Sequence, residues 1–351
     1  MKQIIGRSLN GDVREATAHF DKDPSVLLMY TEENIFEDAV RSLNTLFPGV
    51  PFIAAPGHFY GYGDSNKGVG VCALYGAKVI TGVMRSVSTV PSRDIASFKK
   101  NVSEIGAGVD NTICLDLCTG NDACVLSTIS GVLMRHGIHL SGGTVKAGCP
   151  VAINGKIYED SFVYALIKNL GGRAKVYKEN IYRPTGDHRF IASSTDNSRY
   201  YIGELNGRPA KLVYEDLCRI NDDDVAERTF RNPFGKIIGK EIFIVSISGI
   251  ADNGLTCYRQ VNDSDVLTLL ELKDYKKIVK QTIENIKTDF PRIAGIVSVN
   301  CIYRQQLFEK EHYLPEYLKE MSFAPHVGFF SYGEHYEDQF INQTMSCAVF
   351  E

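Results

Sequence analysis

Four side chains near the C-terminus are the best placed by type and spacing to do chemistry together: Cys301, Arg304, Glu334 and Thr344. The run 296–304 reads Ile-Val-Ser-Val-Asn-Cys-Ile-Tyr-Arg, an apolar strand that delivers Cys301 and Arg304 where a helix starts. The run 328–336 delivers Tyr332, Gly333 and Glu334 to a turn, and Asn342-Gln-Thr344 precedes a short closing strand. A thiol, a guanidinium, a carboxylate and small polar groups at the ends of neighbouring strands are what α/β proteins use to hold a small polar molecule. No hydrolase, kinase or dehydrogenase signature runs through these residues. Binding is therefore the leading expectation and catalysis the second.

Each group has a chemistry and a bland counterpart. Arg304 suits a ligand carboxylate gripped through two parallel bonds, and Glu334 suits an ammonium; together they fit a zwitterion, or they simply pair with each other. Cys301 at a helix N-terminus gains thiolate character from the free N–H groups; it is the nucleophile of an enzyme reading, or a small buried residue at a tight junction. Gly333, Gly142 and Gly143 admit a ligand to the backbone or only close turns. Asn342 and Thr344 are ligand hydrogen-bonders or turn formers. His326 and His335 flank the 328–334 strand and titrate near neutrality, but no nucleophile–His–acid order can be assigned. Cys114, Cys118 and Cys124 have a spacing that matches no common zinc module and read as core thiols.

The elements that must position these groups come in two rhythms. Strands are expected at 25–30, 51–55, 69–74, 78–87, 112–117 and 138–141, with helices at 11–22, 34–46, 91–105 and 122–136; 69–74 and 78–87 read as a strand pair. This alternation points to layered α/β structure. From 149 short strands dominate, separated by turns such as Asn154-Gly155 and Asn206-Gly207, and a helix follows at 209–217. Asn221-Asp-Asp-Asp is the best linker. Beyond it come strands at 241–250, 255–259, 266–272, 293–299, 326–331 and 345–350, with helices at 274–287 and, broken at Pro315, 305–319. The expected architecture is α/β with mixed sheets: two sheet-based, closely packed domains with helices on their outer faces.

Composition narrows the class. The chain has 351 residues, 44% apolar and 23% charged, with a net charge of −4. This is an ordinary globular balance, and no basic stripe favours nucleic acid. No apolar run is long enough to span a membrane, and 1–7 do not read as a signal peptide. Nine cysteines at irregular spacing read as reduced thiols, so cytoplasm is expected.

The ordered set of motifs resembles the FIST family of intracellular signal-transduction modules. In the first half it rests on 112–136, Ser141-Gly-Gly-Thr, the Asn154-Gly155 turn and Gly207-Arg-Pro-Ala. In the second half it rests on Asn232-Pro-Phe-Gly, Asn253-Gly254, Asn300-Cys-Ile-Tyr-Arg304, 328–334 and Asn342-Gln-Thr344. The resemblance implies an extension at 1–24, an N-terminal FIST part at 25–219 and a C-terminal part at 220–351. It implies a sensor of a small polar, amino-acid-like metabolite that signals to a separate protein of kinase, cyclase or chemotaxis type, with no cofactor expected. Haem held by His188, as in a nitric oxide sensor, is the alternative, and a Cys301-dependent enzyme a further one. The chain departs from the family at Ala54-Ala-Pro-Gly-His-Phe-Tyr60, where a Gly-Cys-Ser type of turn is usual, so His58 or Tyr60 takes over any contact made there.

Overall fold

A computed structural model describes residues 1–61 and 63–351, with the backbone alone for 64–66. The chain forms two compact units: residues 1–179, 279–340 and 344–351 in the first, and 180–278 with 341–343 in the second. The division expected at 219/220 falls inside the second unit. Pairing explains this: the late strand Thr344–Phe350 lies between Ala174–Asn180 and Gly295–Cys301 in one sheet.

The first unit is built from three six-stranded sheets. Each contains a parallel pair: Val26–Thr31 with Phe52–Pro56, Thr112–Cys118 with His139–Thr144, and Gly295–Cys301 with His326–Ser331. These strands are buried on both faces, as parallel strands between layers must be, and alternation decides which side chain goes where. Val26, Leu28 and Tyr30 join Ile113, Leu115, Leu117, Val297, Val299, Val327 and Phe329 in one shared core, where the three sheets meet. The alternate residues face helices. Leu27 and Met29 pack with Phe36, Val40 and Leu43 of Phe36–Leu46, and Cys114 and Cys118 pack with Val125 and Ile129 of Asp122–Arg135. The helices thus lie outside, as the alternating pattern predicts.

Local chemistry sets the ends of these elements. Asp12 caps Val13–Thr17 by accepting from the N–H groups of Arg14 (2.8 Å) and Glu15 (3.4 Å). Asn154 and Gly155, both at positive φ, turn Val151–Ile153 back onto Lys156–Tyr158. Pro315 falls in the first turn of a new helix, Leu314–Met321, separate from Ile302–Lys310.

One expectation needs correction. Val69–Tyr75 and Ala77–Arg85 are not a hairpin: the first pairs with Lys2–Ser8 and Val26–Thr31, the second with Ser161–Asn169 in another sheet. Gly76, at φ 78°, lets the chain step between sheets. Ahead of the N-terminal helix, Lys2–Ser8 is an edge strand in which Gln3, Ile5, Gly6 and Ser8 are buried.

The second unit is a nine-stranded antiparallel sheet system with its own core, where Ala210, Val213 and Tyr214 of Ala210–Cys218 cover Ile202, Leu205, Phe234 and Leu255. No helix among the described residues is long and apolar enough to cross a membrane.

Candidate functional site

Alternation along Glu334–Tyr336 splits the C-terminal motif between two environments. Glu334 is fully buried toward the shared core. Its Oε1 accepts from the Ser331 hydroxyl (2.9 Å), and its Oε2 from the Thr344 backbone N–H (3.1 Å) and hydroxyl (2.8 Å). The Cys301 thiol adds a fourth hydrogen bond. Burial outweighs these donors and raises the Glu334 carboxyl to about 7.

His335 points to the opposite face. Its Nδ1 lies 2.6 Å from Asp116 Oδ2, and its Nε2 lies 3.2 Å from Thr144 Oγ1 and 3.5 Å from Asp122 Oδ2. Thr144 in turn donates to Asp122 at 2.5 Å. Burial opposes a charge on His335, but the two carboxylates outweigh it and raise the imidazole to about 10. At neutral pH it is a fixed cation, an anchor rather than a proton shuttle.

Arg304 is not where a zwitterion clamp needs it. It is fully buried, and its guanidinium pairs with the Glu179 carboxylate and donates to the Glu179 carbonyl at 3.2 Å. The rings of Phe308 and Tyr317 lie 5.1 and 5.6 Å from it. Arg304 and Glu334 therefore neither pair with each other nor share a hollow. The reason is parity: Glu179 and Asn300 sit on the helix-facing side of their sheet, whereas Cys301, Ser331 and Thr344 share the side of Val297, Val299, Val327 and Phe329.

The glycines serve packing. A β-carbon on Gly142 would lie 2.1 Å from Asp116 Oδ1, one on Gly143 2.6 Å from Val299, and one on Gly333 2.3 Å from the Phe340 ring. Asn342 is buried in the second unit. His326 is held at 2.6 Å from the Ser298 hydroxyl, which lies 2.6 Å from the Tyr60 hydroxyl. Burial lowers this imidazole to about 4, so it stays neutral. Tyr60 is thus a core residue.

The open site is a cavity of about 290 Å³ that sequence reasoning located only in part. Tyr332 and His58 line it, as do Glu32, Glu33, Asn34, Pro56, Gly57, Lys146, Ile302 and Phe330. Nearly all of these sit at or just beyond the C-terminal end of a parallel strand. Glu32–Asn34 follow Val26–Thr31, Pro56–His58 end Phe52–Pro56, Lys146 follows His139–Thr144, Ile302 follows Gly295–Cys301, and Phe330 and Tyr332 bracket the end of His326–Ser331. The parallel pairs of all three sheets therefore open onto one hollow, the position where α/β sheets bind ligands. One wall is polar, with Lys146 paired to Glu33 at 2.9 Å, a bond that holds the Glu33 carboxyl below its usual range. The other wall is apolar: Pro56, Ile302, Phe330 and the Tyr332 ring, which is 42% exposed. The sequence signal for Lys146 and Glu33 is their place one or two residues past an apolar strand.

The profile of the FIST N domain matches residues 25–208, and that of the FIST C domain matches 210–337. The chain belongs to the FIST family. FIST domains are associated with sensing in signal transduction. No curated protein matches the chain. In this FIST chain the cavity draws Glu32 to Lys146 from the FIST N segment and Ile302 to Tyr332 from the FIST C segment, all within the first compact unit. His188 lies exposed on a loop after Tyr182–Pro184, among the exposed Thr185, Gly186, Asp187 and Arg189, so the residues present there do not fit a haem, which needs apolar cover. Among the described residues no cluster of three or more His, Cys, Asp or Glu forms a metal site. Cys114 and Cys118 are buried, and Cys124 is exposed on the next helix.

Proposed function

We propose that this FIST protein binds a small amino-acid-like metabolite in the cavity at the converging strand ends and reports its occupancy to a separate signalling protein of kinase, cyclase or chemotaxis type. The observation that carries the reading is the convergence of three parallel pairs on one hollow with a polar and an apolar wall. Lys146 supplies the group for a ligand carboxylate, Glu32 and Glu33 suit an ammonium, and Pro56, Phe330 and Tyr332 take an apolar side chain. Glu334 follows the cavity residue Tyr332 by two positions and Arg304 is engaged by Glu179; neither lines the cavity. No cofactor is required by this chemistry. A cytoplasmic setting suits nine free thiols. Binding is favoured over catalysis because Cys301 is buried and its thiol is engaged by Glu334.

Titration calorimetry against a panel of free amino acids tests the reading. At least one should bind, and Lys146→Ala and Tyr332→Ala should each weaken that ligand tenfold or more while the protein stays folded. Unchanged affinity in both variants would move the ligand elsewhere.

A further inference from the structure

Glu334 is a buried carboxylate two residues from an exposed cavity wall. Tyr332 lines the hollow, Gly333 follows, and Glu334 sits behind them, fully buried. The Ser331 hydroxyl on which it rests belongs to the strand that carries Phe330 into the cavity, and the Cys301 thiol immediately precedes Ile302, another lining residue. The wall is pinned by backbone bonds just ahead of Glu334: the Tyr332 N–H donates to the Thr144 carbonyl and the Thr144 N–H to the Gly333 carbonyl, both at 2.8 Å.

The local hydrogen bonds accommodate both protonation states. Ionised, the carboxylate accepts from Ser331, from Cys301 and twice from Thr344. Protonated, it needs one acceptor. Ser331 supplies it by rotation: its hydroxyl lies 2.9 Å from Glu334 Oε1 and 3.5 Å from the Asn300 carbonyl. Turning its hydrogen to that carbonyl frees a lone pair for the Glu334 O–H. Among the described groups packed here, Cys301 is the titratable neighbour on the sheet below, and Gly143 opposite carries no side chain. Arg304 of the following helix is engaged by Glu179, and His335, with Asp116 and Asp122, occupies the far face.

We infer that Glu334 is a positioning residue whose proton is linked to occupancy of the Tyr332 cavity, with an ammonium-bearing ligand favouring the ionised form. The ligand half of this inference rests on the cavity being the binding site proposed above. Because a buried charge is screened less than a surface one, an ammonium at the cavity mouth stabilises the ionised carboxylate, and binding releases the proton to solvent. Burial already places this carboxyl near neutrality.

The test uses the full chain. By NMR, the Tyr332 amide shift of the free protein should titrate near neutral pH in the wild type and not in Glu334→Gln; a flat profile, or the same titration in the variant, overturns the link to the wall. By calorimetry with L-phenylalanine, a probe whose charged groups keep their charge between pH 6 and 8, affinity should rise about tenfold over that range in proportion to the ionised fraction. Heats measured in two buffers of different ionisation enthalpy should report release of roughly half a proton at pH 7. Glu334→Gln should bind with no such pH dependence, whereas Ser331→Ala should shift the midpoint. A dependence that survives in Glu334→Gln and disappears in His58→Gln assigns it to the exposed imidazole on the rim and overturns the inference. If no amino acid binds at any pH, the ligand reading fails on its own, and the Tyr332 titration still decides whether Glu334 controls the wall.

Discussion

Asp116 meets His335 across an intervening strand, over the backbone of Gly142. In the register Asp116 is opposite Gly142, which is opposite His335, and the absent β-carbon lets Asp116 Oδ2 come within 2.6 Å of His335 Nδ1. Both side chains are fully buried, so this is a charge pair whose geometry must be kept.

Gly142→Ala is therefore expected to be among the most damaging single-methyl changes in the chain. The new carbon would lie 2.1 Å from Asp116 Oδ1, and breaking a buried pair costs about 3–5 kcal/mol. Urea unfolding should show a loss of that order; a change below about 1 kcal/mol would mean that the pair relaxes freely.

Arg304→Ala should act on stability rather than on recognition. It leaves Glu179 charged and buried, a cost of about 3–5 kcal/mol. Arg304→Ala combined with Glu179→Leu should recover much of the loss, because removing both charges leaves none uncompensated. Selective loss of ligand affinity without loss of stability in Arg304→Ala would restore Arg304 as a ligand contact.

Two groups give stability opposite pH dependences. The carboxyl of Glu334 is raised in the folded state, so its stabilising contribution is complete below its unfolded value of 4.5 and is lost as pH rises through about 7. Glu334→Gln should thus gain on the wild type over that window, by up to about 3 kcal/mol. The imidazole of His326 is lowered, so its contribution is present above 6.5 and is lost as pH falls through about 4. His326→Gln should unfold less steeply in acid than the wild type. Chemical unfolding at half-unit pH steps measures both.

Lys146→Ala and Tyr332→Ala should leave stability within about 0.5 kcal/mol of the wild type. Lys146 is half-exposed and its bond to Glu33 is a surface pair, and Tyr332 is open to solvent. Thermal unfolding checks this and shows whether their loss of ligand is local.

Thiol reactivity separates the binding and enzyme readings. Cys124 is exposed, Cys149 is half-buried, and the other seven are buried. A mild disulfide reagent should label Cys124 first and Cys301 only on unfolding. Preferential labelling of native Cys301 would favour the nucleophile.

Periodicity made most elements legible. Runs such as 26–30 are continuously apolar because a helix and the shared core bury both faces, and Asn-Gly turns and prolines mark the ends of several elements. The short strands Phe59–Gly61, Glu334–Tyr336 and Gln339–Ile341 carried no such signal, since three residues show no period and their pairing is supplied by distant strands. Tyr332 was found from sequence because it follows an apolar run. Lys146 and Glu33 were not, because their bond spans more than a hundred residues.

The sequence by itself determined most of the longer strands and helices, the family and the apolar faces, because these depend on local spacing of side chains. Only the tertiary structure decided the partners: Arg304 goes to Glu179 and Glu334 to Thr344 because the parity of each residue on its strand assigns it a face, and which strand lies opposite that face is set by pairing across the whole chain.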